Sequence, residues 1–314
     1  MNFQQLRSVR ETVRRGFNLT EVAATLHTSQ PGVSRQVREL EDELGVELFV
    51  RSGKRLLGLT TAGKALLPIV ERLLQDADNL KRAGQDLQGR EEGRLSIAAT
   101  HTQARYVLPH VVKDFRQRYP KVTLHLHQGS PRQVAEMLLN GTADVGVATE
   151  ALAEYDQLIT LSCYRWTHGI VVPPEHPLLA LDHPVTLADL AAYPIITYEL
   201  GYTGRHHIDD AFTQAGLATN VVLTAMDADV IKTYVELEMG VGIVASVAWD
   251  DERDNRLRMI DAGHLFPINT TRLAVARSHW LPGFAYGFIE SFVPTLTREV
   301  VQQTLSADAA NGHH

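Results

Sequence analysis

Residues 19–43, Leu-Thr-Glu-Val-Ala-Ala-Thr-Leu-His-Thr-Ser-Gln-Pro-Gly-Val-Ser-Arg-Gln-Val-Arg-Glu-Leu-Glu-Asp-Glu, narrow the possible folds more than any other stretch. Thr20 is placed to cap a short helix with Val22, Ala23 and Leu26 on one face. His27-Thr28-Ser29 makes a turn, and Pro31 suits the first turn of a second helix, where a missing N–H costs nothing. There Val33, Val37 and Leu40 recur at helical spacing and point inward, which leaves Ser29, Gln30, Pro31, Ser34, Arg35 and Arg38 outside. Two short helices about a tight turn form a helix-turn-helix, whose second helix enters the DNA major groove by its first residues. Gln30 would read an adenine edge, and Arg35 a guanine edge or a phosphate. The alternative is an ordinary helical hairpin with a solvated polar face.

The flanking residues favour DNA. Phe3, Leu6 and Val9 through Val13 begin an amphipathic helix that packs beneath the pair. Residues 45–50 form a strand, Arg51-Ser52-Gly53-Lys54-Arg55 a turn, and residues 56–60 the return strand, a wing with Arg51, Lys54 and Arg55 near its tip. Cations there suit phosphate contact, which positions a protein without reading sequence. The net charge of −7 is unevenly spread. Residues 1–90 hold 14 Lys and Arg against 11 Asp and Glu, a net +3, so the remainder carries −10. Nucleic acid would meet only the head.

Thr61 then caps a helix running to about Gln88. Leu66, Val70, Leu73, Ala77, Leu80, Gly84 and Leu87 alternate in steps of four and three, a heptad seam that fits a dimerising coiled coil better than packing on its own domain. Beyond a polar linker at 89–93 the texture becomes strand–helix alternation. Strands are expected at 95–100, 122–127, 143–148, 170–172, 195–198, 221–224, 241–245 and 272–276. Helices are expected at 106–119, 133–139, 208–215, 230–239 and 284–292. Such alternation implies parallel strands with crossover helices, with 122–127 at a sheet edge. The fold class is α/β behind a helical head, and residues from Ser306 read as a frayed tail.

No apolar run approaches a membrane span, the first residues lack a secretory apolar region, and a single Cys fits a reducing cytoplasm. His125 and His127 share a strand face and His206-His207 are adjacent, yet neither pair has a carboxylate or Cys at ligand spacing, so no metal site is expected. Cys163 reads as a small buried hydrophobe. There is no GxSxG, P-loop or dinucleotide fingerprint, so neither an enzyme nor a cofactor is expected.

The head segment TSQPGVSRQVRELEDELGVELFVRSGK resembles the winged helix-turn-helix of LysR-type transcriptional regulators, and the likeness extends over the whole chain. THTQARYVLP, HQGSP, VATEAL, GYTGR and the run Met226 to Tyr234 are similar to the CysB-like subfamily, which regulates sulfur assimilation and cysteine biosynthesis, and to its sulfonate-utilisation paralogues. The resemblance implies a winged head at 1–60, a linker helix at 61–88, and a periplasmic-binding-protein-like effector domain of two α/β subdomains. These would be 92–162 with 268–300, and 164–266, followed by a tail at 301–314. Crossing strands are expected near Leu161–Tyr164 and Phe266–Asn269. It further implies a homodimer or homotetramer on promoter DNA, with RNA polymerase as a partner. A small effector, an acetylserine or a sulfate-like anion, would bind between the subdomains. Thr100, Thr102, Gln103, Ser130, Thr149 and Thr203 fall at strand ends and helix starts that suit such a ligand, and Trp166 matches a family pocket residue. For any one hydroxyl the plainer role is to cap its own helix. Adenylyl sulfate is the alternative effector of a sulfonate regulator, and a transport-type solute-binding protein is the rival from another class.

Overall fold

A computed structural model describes residues 1–311 except 54, 88–90, 203 and 278. The chain divides into two compact units, residues 1–89 with 278–280, and residues 90–277 with 281–314. In the first, α1 (Phe3–Arg14), α2 (Leu19–Thr25) and α3 (Gln30–Leu44) precede an antiparallel hairpin of β1 (Phe49–Ser52) and β2 (Arg55–Leu59), then the long α4 (Thr61–Leu87). Leu6, Val9, Val22, Val33, Val37, Leu40, Leu48 and Phe49 share one core with Val70 and Leu74 of α4. Phe3, in the first turn of α1, is left 53% exposed, whereas Leu6 and Val9 are buried.

Caps set the borders of these helices, and two of them, with the start of the wing, differ from the sequence expectation. Asn18 rather than Thr20 caps α2, accepting from the Thr20 and Glu21 N–H groups. The earlier residue wins because an Asn carboxamide reaches the second and third amides as well as a hydroxyl does, typically stabilising a helix by about 1 kcal/mol. Thr60 rather than Thr61 caps α4, its Oγ1 accepting from Gly63 N at 2.9 Å. Residues 45–48 are not strand. Gly45, at φ +71°, ends α3 in the left-handed region. The buried Glu41 carboxylate then takes the Leu48 and Phe49 amides at 2.8 and 3.2 Å, so pairing with β2 starts only at Phe49.

The seam on α4 has two fates. Val70 is buried in the head core, whereas Leu73, Leu80 and Leu87 are 37%, 76% and 86% exposed. The spacing of seven therefore survives as an apolar stripe on the outer face of α4.

In the second unit the first lobe comprises β3 (Gly93–Ala99), α5 (Leu108–Arg118), β4 (Val122–Gln128), α6 (Pro131–Leu139), β5 (Val145–Ala148) and β6 (Leu158–Trp166). The second comprises β7 (His168–Val172), α7 (Leu187–Ala191), β8 (Pro194–Tyr198), α8 (Arg205–Gln214), β9 (Asn220–Ala225), α9 (Ala228–Glu236), β10 (Val241–Ala245) and β11 (Arg258–Asp261). The chain returns to the first lobe through β12 (Asn269–Ala276), α10 (Gly283–Phe292) and α11 (Arg298–Asn311).

The sheet orders are β4-β3-β5-β12-β6 and β11-β7-β10-β8-β9. β4 is an edge, as its alternating polarity indicates. Both sheets are mixed rather than wholly parallel. β12 runs antiparallel to β5 and β6, and β7 runs antiparallel to β10 and β11.

Alternation along the strands sorts side chains by size. Leu95, Ile97, Val145, Val147, Leu273 and Val275 face α5 and α10, where Phe115, Phe288 and Ile289 fill the layer. Ala98, Ala148 and Ala274 face α6. At Gly146 a Cβ would lie 2.6 Å from Leu138 Cδ1, so α6 rests directly on backbone there.

β6 pairs with β12 as far as Trp166 opposite Asn269. The outward crossing is therefore at Thr167, not at Leu161–Tyr164, and the return at 267–268 falls inside the expected Phe266–Asn269. The residues read as a frayed tail from Ser306 continue a helix as far as 311. This is α11 (Arg298–Asn311), whose first half is anchored by the fully buried Val301 and by Leu305 on the first-lobe core. Its few apolar residues anchor it on one side only, which is why its sequence looks like a tail. Among the described residues no helix is long and apolar enough to cross a membrane.

Candidate functional site

On the head, α3 presents Gln30, Pro31, Arg35 and Arg38 to solvent. The Ser29 hydroxyl is spent as the N-cap, accepting from Gly32 N at 3.2 Å, and Ser34 is half-buried. Arg35, with its side chain 81% exposed, pairs with Glu39 at 2.7 Å. That pair holds the Glu39 carboxyl below its usual range, with help from Gln5. A solvent-screened surface pair of this kind is weak, so a base or phosphate can displace it. A shallow groove brings Gln30 and Arg55 together with Phe17, Asn18 and Thr20. The last three were missed by pattern reading, since their side chains first look like caps and turns. Arg51 departs from the expected wing role. It is turned inward to the Glu41 carboxylate. Lys54 lies outside the described residues.

In the effector unit, Thr100, Thr102 and Gln103 are buried where β3 gives way to a helix that passes through a π turn at Gln103–Val107. A π turn widens the helix by one residue and often marks a functional site. Gln103 Nε2 donates to Thr271 Oγ1 at 3.2 Å, and Trp166 Nε1 donates to the same oxygen at 3.1 Å. The Tyr164 hydroxyl donates to Gln103 Oε1. Gln103 and Trp166 are thus tied into one network with Tyr164 and Thr271.

Thr102 differs. Its Oγ1 is buried and makes no hydrogen bond of good geometry; its polar neighbour is the buried Tyr198 phenol, whose proton affinity it lowers and which accepts from Ala245 N at 3.0 Å. Burial raises the Tyr198 phenol, so it stays neutral. Asn269 Oδ1 is likewise buried and unpartnered. Each such orphan costs about 1–3 kcal/mol, which a bound ligand of matching polarity can recover.

Thr149 is buried and precedes the short turn Glu150–Glu154 without a side-chain capping bond. Ser130 does cap, within a capping box with Gln133. Thr203 lies outside the described residues. Its neighbour Gly204 has φ +68°, and a Cβ there would stand 2.2 Å from Asn269 Oδ1, so only glycine allows this approach of the α8 entry to β12. Asn269, Thr271, Tyr164 and Tyr198 escaped sequence reasoning, because strand residues of this kind carry no local mark.

The lobes are bridged on two sides. On one, Tyr106 donates to Asp229 Oδ1 and Arg105 lies 3.4 Å from the same carboxylate. Burial, and then Asp229, raise the Tyr106 phenol. Asp229 itself is pulled up by burial, but Tyr106, Lys232 and Arg105 hold it below its usual range. On the other side Glu150 Oε1 meets His207 Nε2 at 3.1 Å, while Oε2 accepts from Thr270 N at 3.0 Å. A carboxylate therefore does stand by the His206-His207 pair, contrary to expectation, because the fold brings it from 57 residues away. Cys163 donates weakly to Leu161 O, and burial pushes its thiol up to about 12.

Residues 3–64 match the model of the bacterial regulatory helix-turn-helix protein, lysR family, and residues 88–296 match the LysR substrate binding domain. The chain is 55% identical over 296 residues to the HTH-type transcriptional regulator SsuR of Burkholderia cenocepacia, covering 94% of this chain and 96% of that protein. It is 52% identical over 309 residues to the regulator CysB of the same organism, covering 98% of both. Among solved structures, the cofactor-binding domain of the Cbl transcriptional regulator superposes with TM-score 0.65 at 43% identity, over 68% of this chain and 93% of that one. These relatives bear out the resemblance read from the sequence, and they are named as regulators, not as enzymes or transport proteins. With its helix-turn-helix head and two-lobed effector unit, the chain belongs to the LysR family of DNA-binding transcriptional regulators.

Proposed function

We propose that this regulator controls genes of sulfur assimilation and cysteine biosynthesis in the cytoplasm, responding to acetylserine bound between its lobes. DNA is read by Gln30 and Arg35, with Pro31, Ser34 and Arg38 beside them, and is held at phosphates by Arg55 and Lys54. The bare stripe Leu73, Leu80 and Leu87 on α4 suits a partner helix, and so a dimer or dimer of dimers. RNA polymerase is the further partner of a promoter-bound activator. Thr100, Thr102, Thr149 and Thr203 supply donors to the effector, and Ser130 adds a helix N-terminus.

One observation carries the choice of effector. The orphan Thr102 hydroxyl can donate, whereas the orphan Asn269 Oδ1 can only accept. A ligand with both a carboxylate and an N–H, as in O-acetylserine or N-acetylserine, answers both; a bare sulfate answers only the first. A second reading, regulation of sulfonate or sulfate-ester use with adenylyl sulfate or sulfate as effector, draws on the near-equal likeness to SsuR and CysB. A thermal-shift panel of the acetylserines, sulfate, thiosulfate and adenylyl sulfate separates the two. A shift with sulfate or adenylyl sulfate alone would reject the acetylserine assignment. Gel shift on promoter DNA through a salt series tests the head, with affinity expected to fall steeply as salt rises.

A further inference from the structure

We propose that Glu150, His206 and His207 form a binding site for one transition-metal dication of the zinc type. Among the described residues, one ligand atom from each lies within 4.8 Å of the other two. The Glu150 carboxylate is oriented from behind by the Thr270 amide at 3.0 Å, as second-sphere donors orient metal ligands. The His206 and His207 rings lie with centroids 3.9 Å apart, tilted by 39°, so the two imidazoles are held side by side next to the carboxylate. Two imidazoles and a carboxylate are the donors that Zn²⁺ and its neighbours prefer over Mg²⁺ or Ca²⁺. Three protein ligands leave a fourth tetrahedral position for water or a small ligand.

A second group, His101, Asp227 and Asp229, also converges, but it suits a cation less well. Asp229 is already held by Tyr106 and Arg105 and lies 3.7 Å from the Lys232 ammonium, whose charge opposes a dication. Asp227 Oδ1 is spent capping α9. At Glu150 the N-terminus of α8 also opposes positive charge, and the carboxylate offsets it. The nearby Arg205 guanidinium is committed to Tyr198 O and Asp209.

Glu150 follows β5 in the first lobe, and the two histidines open α8 in the second. A metal ion here would pin the lobes together next to Thr149. The site stands whether or not the effector is an acetylserine.

The test is calorimetric titration of the full chain with ZnCl2 in a non-chelating buffer. One ion per chain is expected, with affinity lowered at least about tenfold in each of Glu150→Gln, His206→Gln and His207→Gln. His206 is exposed, so its variant keeps the fold even if the others do not. His101→Gln and the double variant His313→Gln/His314→Gln should bind as the parent does. Unchanged binding in the first three, or loss of the ion in either control, would overturn the assignment.

Discussion

Lys232 Nζ lies 2.8 Å from both carboxylate oxygens of Asp254, with the two residues 4% and 7% exposed. The ammonium also donates to Ala248 O at 3.0 Å and to the Tyr106 hydroxyl at 2.8 Å. Asp254 accepts in turn from the Asp250 amide at 2.9 Å. The pair thus joins α9 to the loop after β10, and through Tyr106 it reaches the opposite lobe.

Breaking this pair from one side strands a buried charge. Asp254→Ala is expected to cost about 3–5 kcal/mol in chemical denaturation. The double variant Lys232→Met/Asp254→Leu should recover much of that loss, since it removes both charges. Equal loss in single and double variants would mean that packing, not charge, holds the region.

Two arginines of the head should behave oppositely. Arg51 neutralises the buried Glu41, so Arg51→Ala is expected to lower stability by about 1–3 kcal/mol. Arg35 holds only the surface Glu39, so Arg35→Ala should leave the unfolding midpoint unchanged while abolishing specific operator binding in gel shift. An Arg35→Ala protein that still selects its operator would remove that residue from base reading.

Thr102→Val replaces an unpartnered buried hydroxyl by a methyl of similar size. Stability is expected to hold or rise slightly, while effector affinity in calorimetry falls about tenfold, equivalent to one lost hydrogen bond of about 1.4 kcal/mol. A residue with a purely structural role would lose stability and leave the titration unchanged.

The Cys163 thiol, raised by burial from an ordinary value near 9 to about 12, should resist alkylation at pH 8 in the native protein. Its folded value exceeds its unfolded one, so this contribution to stability is complete below about pH 9 and fades as pH climbs toward 12. Rapid native-state labelling by iodoacetamide at pH 8 would refute the shielded thiol.

What could be read from the sequence alone was local. Val22, Val33, Val37 and Leu40 declare the head because helix periodicity acts within a few residues, and the Leu73, Leu80, Leu87 repeat declares the rod for the same reason. Strand–helix alternation likewise revealed the class of the body. Boundaries slipped where two candidate caps stood side by side, as at Asn18 and Thr20. The inward turn of Arg51 has no local mark, because its partner Glu41 lies ten positions away. Only tertiary structure could set Thr271 against Gln103, Asn269 against Gly204, or Glu150 against His207. Those contacts join strand ends and helix starts from far-apart segments, and no short-range pattern encodes which of them the chain crossing at Thr167 will bring together.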